Sequence, residues 1–434
     1  MTNIANLTRH QMRSPESTPH PSSQGMTATP NDTPTRIGLF GNFGTGNFGN
    51  DGSLRALLDY LRAQRPDAQI YCICPNEEVV RKRFDLPTLP IEAKMPEDSW
   101  FRTLNRILPH FGKRLHHFVS TMRAVDKFDM IIVPGTGILD DFADRWQGMP
   151  LSLFIWSLAA RLSGRPFAFA SIGAGPIEHP WSRWLMKWAA RMARFRSFRN
   201  QESKDFLEGL GVNTSKDAVT PDITFSLPSP TPTAGLEDGN DGLPIVGIGV
   251  MSYAGWHPVP PDSERIYSHY IAKVAQFAGW LLYQGYGVRI IAGDENDAVA
   301  MDDVVAMITQ QFGSLPAHLA AEKAASMEDV TAQMADTKLI IATRFHNIIC
   351  ALMLNIPVIS VGYARKNDAL LTDMGLQDFC QHIEDLDVGL LKNQFERLLR
   401  DHKFYKLKIT EKSAEYRAQL LKQDEKLLSS LLVH

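Results

Sequence analysis

From Arg36 onward, short apolar runs alternate with longer stretches whose apolar residues recur every three or four positions. The first kind reads as buried strands and the second as amphipathic helices. RIGLF, Arg36 to Phe40, is the first predicted strand, and Leu54–Arg65 is the first predicted helix. Strands follow at AQIYCICP, DMIIVPGTG, RPFAFASIGAG and RFRSFRNQES, with a helix over Leu151–Leu162 that is apolar on most sides. After Leu243 the alternation restarts with PIVGIGV, a long helix over Glu264–Tyr283, GVRIIAGD and a helix around Asp302–Phe312. TKLIIATRFH, NIICALMLN and IPVISVGY continue it as strand, helix and strand. Elements alternating at these lengths imply parallel sheets covered on both faces.

Breaks in composition divide the pattern. Residues 1–35 are rich in Ser, Thr, Pro, Asn and Gln and lack the apolar core of a signal peptide, so they read as a disordered arm. Residues 36–227 form one Rossmann-like domain, 228–243 (PSPTPTAGLEDGNDGL) a linker, and 244–403 a second Rossmann-like domain. A Lys- and Leu-rich helix over 404–434 is expected to brace the N-terminal domain. The predicted class is α/β and GT-B-like, with two parallel-sheet domains facing a central cleft and ligands at the C-terminal ends of their strands.

Charge and cysteine usage narrow the field only slightly. A net charge of −3 gives no footing for nucleic acid. No apolar run is long enough to span a membrane. Cys72, Cys74, Cys350 and Cys380 show no metal-ligand spacing and read as reduced core residues of a cytoplasmic protein. No metal and no cofactor is expected.

The chemistry is expected at strand ends. Three glycine loops follow strands of the first half, and the candidates in them are Gly46 and Gly49, Gly135 and Gly137, and Gly173 and Gly175. Such loops either bring backbone amides close to an anion or simply permit tight turns. Gly44, Gly46 and Gly49 fit G-x-G-x-x-G, but the acid a dinucleotide site needs at the end of the second strand is missing, because Glu77 and Glu78 come too late. In the second half, Arg344 and His346 flank Phe345 at a strand end, and Lys366 follows the next strand. On an extended chain Arg344 and His346 point the same way. Arginine offers a planar fork for carboxylate or phosphate, and histidine a proton near neutral pH. Arg199 ends another strand in FRNQES, and acids Asp51 and Asp140 lie just past the first two glycine loops.

These segments, GNFGNDGSL, PGTGILDD, ASIGAGPI, RNQES, TPDITFSL and above all TRFHNIICALMLNIPVISVGYARKNDALLTDMGL, make the chain resemble the polysaccharide pyruvyl transferase family over about Arg36 to Leu376. The resemblance implies a GT-B-like enzyme that moves the enolpyruvyl unit of phosphoenolpyruvate onto two hydroxyls of one sugar, leaving a pyruvate ketal and phosphate. It implies that Arg199, Arg344, His346 and Lys366 hold phosphoenolpyruvate, that His346 moves a proton or contacts the phosphate, and that Asp51 or Asp140 is the acceptor-side base. One departure is local: Asn50 stands in the slot where the family has aspartate, and Asp51 takes the next. Two other readings stay open. One is a nucleotide-sugar glycosyltransferase, for which Asp294 or Glu295 would take ribose hydroxyls. The other is a non-catalytic anion-binding or scaffold module.

Two further segments are basic and aromatic: Trp100–Phe118 and Trp181–Arg199. Helical spacing puts Trp181, Trp184, Leu185, Trp188, Met192 and Phe195 on one face, which reads first as a core-packed stripe. The other reading is peripheral contact with the cytoplasmic face of the inner membrane, where a lipid-linked oligosaccharide acceptor would sit.

Overall fold

Parallel strands cannot be joined by tight turns, so each predicted strand–helix alternation has to close as a crossover. The computed structural model describes residues 34–96, 100–108, 110–141, 144–228, 243–255 and 260–432. The expected arm over 1–35 lies outside them except for Pro34 and Thr35, and so does the expected linker over 228–243 except for its two ends.

Among the described residues, β1 (Arg36–Phe40), β2 (Gln69–Cys74), β3 (Thr88–Pro90), β4 (Met130–Pro134), β5 (Phe167–Ile172), β6 (Phe195–Phe198) and β7 (Ala218–Val219) form one sheet. Its order is β3-β2-β1-β4-β5-β6-β7, parallel throughout. β8 (Ile245–Val250), β9 (Gly287–Ala292), β10 (Leu319–Ala320), β11 (Thr337–Ala342), β12 (Val358–Gly362) and β13 (Cys380–His382) form a second sheet, ordered β10-β9-β8-β11-β12-β13 and also parallel. In each sheet the winding reverses once, between β1 and β4 and between β8 and β11. A crevice opens past the strand ends at such a reversal. The sequence places the first glycine loop after β1, Gly135 after β4 and Arg344 after β11.

The two sheets share an apolar core. Helix Phe48–Gln64 packs Leu54, Leu57, Leu58 and Leu61 into the same cluster as Val246, Ile340 and Ile349 of the second sheet and its covering helix. Phe225 and Tyr416 meet edge to face within it, 5.0 Å apart. Tyr416 belongs to the long helix His402–Leu432, which crosses from the second sheet to the first. At the first sheet its Gln423 Oε1 accepts hydrogen bonds from Ser171, Ser197 and Thr220, at 3.0, 2.5 and 2.5 Å. All four residues are buried, so the knot satisfies polar groups that would otherwise cost free energy. Ser171 lies in the left-handed region with φ of 51°, and the β5–β6 register shifts beside it. That irregularity re-aims the strand ends that carry Gly173 and Arg199.

Candidate active site

Turn chemistry after β1 builds the first wall of the cleft. The Asn47 side chain accepts the Asn50 N–H at 3.1 Å and caps helix Phe48–Gln64, which therefore starts well before the predicted Leu54. Gly49 and Gly52 fall inside its first turns, and the cause lies across the cleft. A Cβ on Gly49 would stand 1.9 Å from His346 Nδ1, and one on Gly52 2.2 Å from Met327 Sδ. Gly46 O accepts the Glu295 N–H at 3.1 Å, and Asn47 pairs with Asp294 in an isolated antiparallel bridge. This loop docks one lobe on the other, where the sequence suggested a cradle for a ligand.

Asp51 belongs to the same framework. Its carboxylate accepts the Gly44 N–H at 2.8 Å and pairs with Arg83, while burial raises its pKa. It is not on the walls of the two central cavities, and the members of GNFGNDG on a cavity wall are Asn47 and Asn50, both amides. The expectation of Asp51 as a catalytic base is corrected on that ground.

The cationic residues arrive from three strand ends. Arg199 follows β6. Its guanidinium stands 5.1 Å from the Phe345 ring centroid and its Nη1 3.4 Å from Asp222 Oδ2. A Cβ on Gly173 would meet that guanidinium at 2.6 Å, so glycine after β5 leaves the guanidinium its place and a larger residue would shift it. β11 ends at Ala342, and Arg344 is the cap residue of helix Phe345–Met353. Arg344 and His346 therefore reach the same cavity by a helix start, not by alternation along a strand. Arg344 forms a two-pronged pair with Asp297, Nε to Oδ2 and Nη2 to Oδ1 both at 2.7 Å, and its Nη1 is 3.9 Å from Asp294. Burial disfavours its charge, but the two carboxylates outweigh burial and raise its pKa. Lys366, past β12, places Nζ 5.5 Å from the Phe345 ring and 5.2 Å from the Tyr363 ring. Among the described residues no carboxylate pairs with it.

His346 is held neutral. Burial, reinforced by the charges of Arg199, Lys366 and Arg344, pushes its pKa down to about 4, against the pull of Asp222. Its Nε2 is 3.9 Å from Asp222 Oδ2 and has no hydrogen-bond partner among the described residues; Arg199 Nε is likewise buried without one among them. Tyr363 behaves in the opposite way. Burial would raise its phenol, but Lys366 and Arg344 outweigh burial and hold it below the usual value.

Two cavities meet here, of about 410 and 570 Å³, and Asp140, Arg199, Tyr363 and Lys366 stand on the walls of both. The smaller one adds Arg344, Phe345, His346, Gly137 and the amides Asn47 and Asn50. The larger one adds Gly173, Gly175, Phe206 and Arg365. Gly135, at φ +47°, abuts Ile223 and stands behind the wall. The structure thus brings Arg199, Arg344, His346, Lys366 and Asp140 together and leaves Asp51, Gly46, Gly49 and Gly135 in supporting positions. Tyr363, Phe345, Asp222 and Asp297 were not singled out from sequence. The one signal for Tyr363 was its place three residues before Lys366, at the end of a strand.

Comparison with known proteins agrees with this architecture. Amylovoran biosynthesis protein AmsJ of Erwinia amylovora is 21% identical over 393 residues, spanning 82% of this chain and 89% of its own. The UDP-GlcNAc 2-epimerase from Neisseria meningitidis bound to UDP-GlcNAc superposes with a TM-score of 0.57 at 11% identity, covering 92% of this chain and 99% of its own. MurG of Acinetobacter baumannii gives 0.52 at 13% identity, covering 92% and 100%. At such identities the structural likenesses show the fold, two GT-B-type lobes. The sequence profile of polysaccharide pyruvyl transferases matches residues 47–365, and the chain belongs to the polysaccharide pyruvyl transferase family.

Proposed function

We propose that the protein transfers the enolpyruvyl unit of phosphoenolpyruvate to two hydroxyls of a sugar residue, forming a pyruvate ketal during synthesis of an exopolysaccharide. The observation that carries this reading is a pair of buried nitrogens without a hydrogen-bond partner among the described residues, Arg199 Nε and His346 Nε2, on a cavity wall that also holds Arg344 and Lys366. Buried polar atoms without partners are costly, and an anion bearing both carboxylate and phosphate supplies the missing acceptors. The nucleotide-sugar reading loses its ribose acids. Asp294 is bound to the Asn296 N–H and bridged to Asn47, and Glu295 packs against Gly46.

The reaction needs one proton delivered to C3 of the enol, attack of one hydroxyl on C2, and displacement of phosphate by the second hydroxyl. The first hydroxyl's proton balances the one added at C3, and the second leaves with phosphate. Arg199, Arg344 and Lys366 hold the donor's charge in a cleft of reduced dielectric. His346 is neutral in the empty cavity, and a bound trianion raises its pKa so that it shares a proton with the departing phosphate. Asp140, on the wall of both cavities, accepts the proton of the sugar hydroxyl, and Tyr363, on the same two walls, is the donor toward C3. No metal or cofactor takes part, so activity should survive chelation. The acceptor is a lipid-linked oligosaccharide on the cytoplasmic side of the inner membrane.

The test is phosphate release from phosphoenolpyruvate with the native lipid-linked repeat unit as acceptor, alongside calorimetry of donor binding. Release only in the presence of glycan is expected. Saturable binding of a UDP-sugar with none of phosphoenolpyruvate would overturn the proposal.

A further inference from the structure

The helix Pro180–Met192 does not bury the stripe its spacing suggests. Ser182, Leu185, Met186, Ala189 and Ala190 are its buried residues, and the small ones let it lie close against helix Met149–Leu162. Trp181, Trp184 and Trp188 are turned outward, 58%, 47% and 39% exposed. Of the six residues of that stripe Leu185 and Phe195 are buried and Met192 is half-buried, so the core-stripe reading is corrected for the three tryptophans.

The exposed tryptophans continue as a band over neighbouring elements. Trp184 stands 6.3 Å from Trp188 and 5.4 Å from Phe154. Trp181 stands 6.1 Å from Trp146, and the Arg114 guanidinium covers Trp146 at 4.9 Å. Arg114 belongs to helix Phe111–Val125, so the two basic, aromatic segments of the sequence join in one surface. Trp100, Leu108 and Phe111 are exposed at the far end. The helices Trp100–Ile107, Phe111–Val125 and Pro180–Met192 contain no acid and carry Arg102, Arg106, Arg114, Arg183, Lys187 and Arg191. Among the described residues the neighbouring acids are Glu92, which pairs with Lys113, Asp126 at the end of helix Phe111–Val125, Asp141, and Asp144 and Glu178 exposed at the edge; in the sequence Glu97 and Asp98 precede Trp100. In a chain of net charge −3, that is a segregated positive face.

We propose that this band is the surface by which the protein lies on an anionic lipid bilayer, with the tryptophans at headgroup depth and the cations against lipid phosphates. Indole rings have an apolar body and one N–H donor, which suits the water–hydrocarbon boundary. A second copy of the chain is a poorer occupant, because a twofold contact would set these cations against each other. The band also borders the site. Trp146 lies between Asp144 and Met149, both on the wall of the 410 Å³ cavity, and Asp141 accepts the Glu178 and His179 N–H groups that lead into Pro180. A bilayer on this face stands next to the cavity mouth. Its use in delivering a lipid-linked acceptor rests on the function proposed above; the lipid contact itself does not.

The test is flotation of the full chain with vesicles of phosphatidylcholine alone and of phosphatidylcholine with phosphatidylglycerol. Binding to the anionic vesicles only is expected, weakened by salt and accompanied by a blue shift of tryptophan emission. Arg183→Gln and Lys187→Gln should each weaken it about fivefold. The double variant Trp181→Ser with Trp184→Ser should abolish the emission shift while leaving phosphoenolpyruvate affinity and thermal midpoint unchanged. Equal binding to both vesicle types, or variants that float like the parent, would overturn the proposal. So would a chain that ignores vesicles and self-associates through these tryptophans. A protein that floats as expected yet never consumes phosphoenolpyruvate would remove the catalytic reading and keep the surface.

Discussion

Replacing Lys366 with Met isolates one charge without stranding another. Among the described residues no carboxylate pairs with Lys366, which rests against the Phe345 and Tyr363 rings, so methionine keeps the stem and loses only the ammonium. At ~4 Å and an effective dielectric of ~20, two unit charges attract by about 4 kcal/mol, which is the ceiling. Desolvating the ammonium takes back part of this, and hydrogen bonds to charged groups are worth about 1.5–3 kcal/mol net. Donor affinity should therefore fall by about 2–3 kcal/mol, or roughly 30- to 140-fold. Fold stability should change by only about 1 kcal/mol, because no buried carboxylate is orphaned and the loss is one hydrogen bond to the Tyr363 phenol. Arg344→Ala supplies the contrast. It leaves Asp297 buried and unpaired, so it should cost about 3–5 kcal/mol of stability before any substrate is added. Calorimetry with phosphoenolpyruvate and chemical denaturation measure both quantities. Lys366→Met with unchanged donor affinity, or with a stability loss matching that of Arg344→Ala, would refute this assignment of charges.

Other outcomes follow from the same geometry. Gly49→Ala puts a methyl group into the His346 ring, and should cost about 1–3 kcal/mol of stability and lower kcat, as denaturation and phosphate release would show. Tyr363→Phe should lower kcat by about 100-fold or more with little change in donor Kd, if the phenol moves a proton. The folded pKa of His346, about 4, lies below its unfolded value, so the unfolded chain binds more protons between those values and stability falls as pH drops through that window. From pH 7 to pH 5 this amounts to about 2 kcal/mol for one histidine so shifted. Asp424, a buried carboxyl pushed up to about 6, acts in the opposite sense, so the difference between parent and His346→Gln isolates the histidine. Parallel stability–pH curves for the two proteins would discard the reasoning. Donor binding near pH 6 should also take up a proton, read from calorimetry in buffers of differing ionisation enthalpy.

Much of the architecture was readable because buried parallel strands announce themselves as apolar runs between turns. RIGLF, PIVGIGV and TKLIIA are strands where their patterns put them. What escaped depends on contacts between lobes. Helix Phe48–Gln64 begins among glycines because His346 and Met327 occupy the space their side chains would fill, and no local pattern records that. Arg344 and His346 were found, but by alternation along a strand that in fact ends at Ala342; a one-turn helix start brings i and i+2 to one cavity as well. Asp51 looked catalytic because it sits beside a glycine loop, and the structure spends it on Gly44 and Arg83. The tryptophan row of Pro180–Met192 has helical spacing that fits a buried or an exposed face equally. Ala189 and Ala190, opposite it, were the residues that marked the packed side.

The Gln423 knot gives the end of the chain a bearing on the chemistry far from it. Ser197 lies two positions before Arg199, and Ser171 two before Gly173, so the backbone that aims the guanidinium is anchored by a residue more than two hundred positions downstream. A premature stop shortly before Gln423 would leave every strand of both sheets translated and still release the backbone that aims Arg199, so it should weaken the site as a lesion in the cavity itself would.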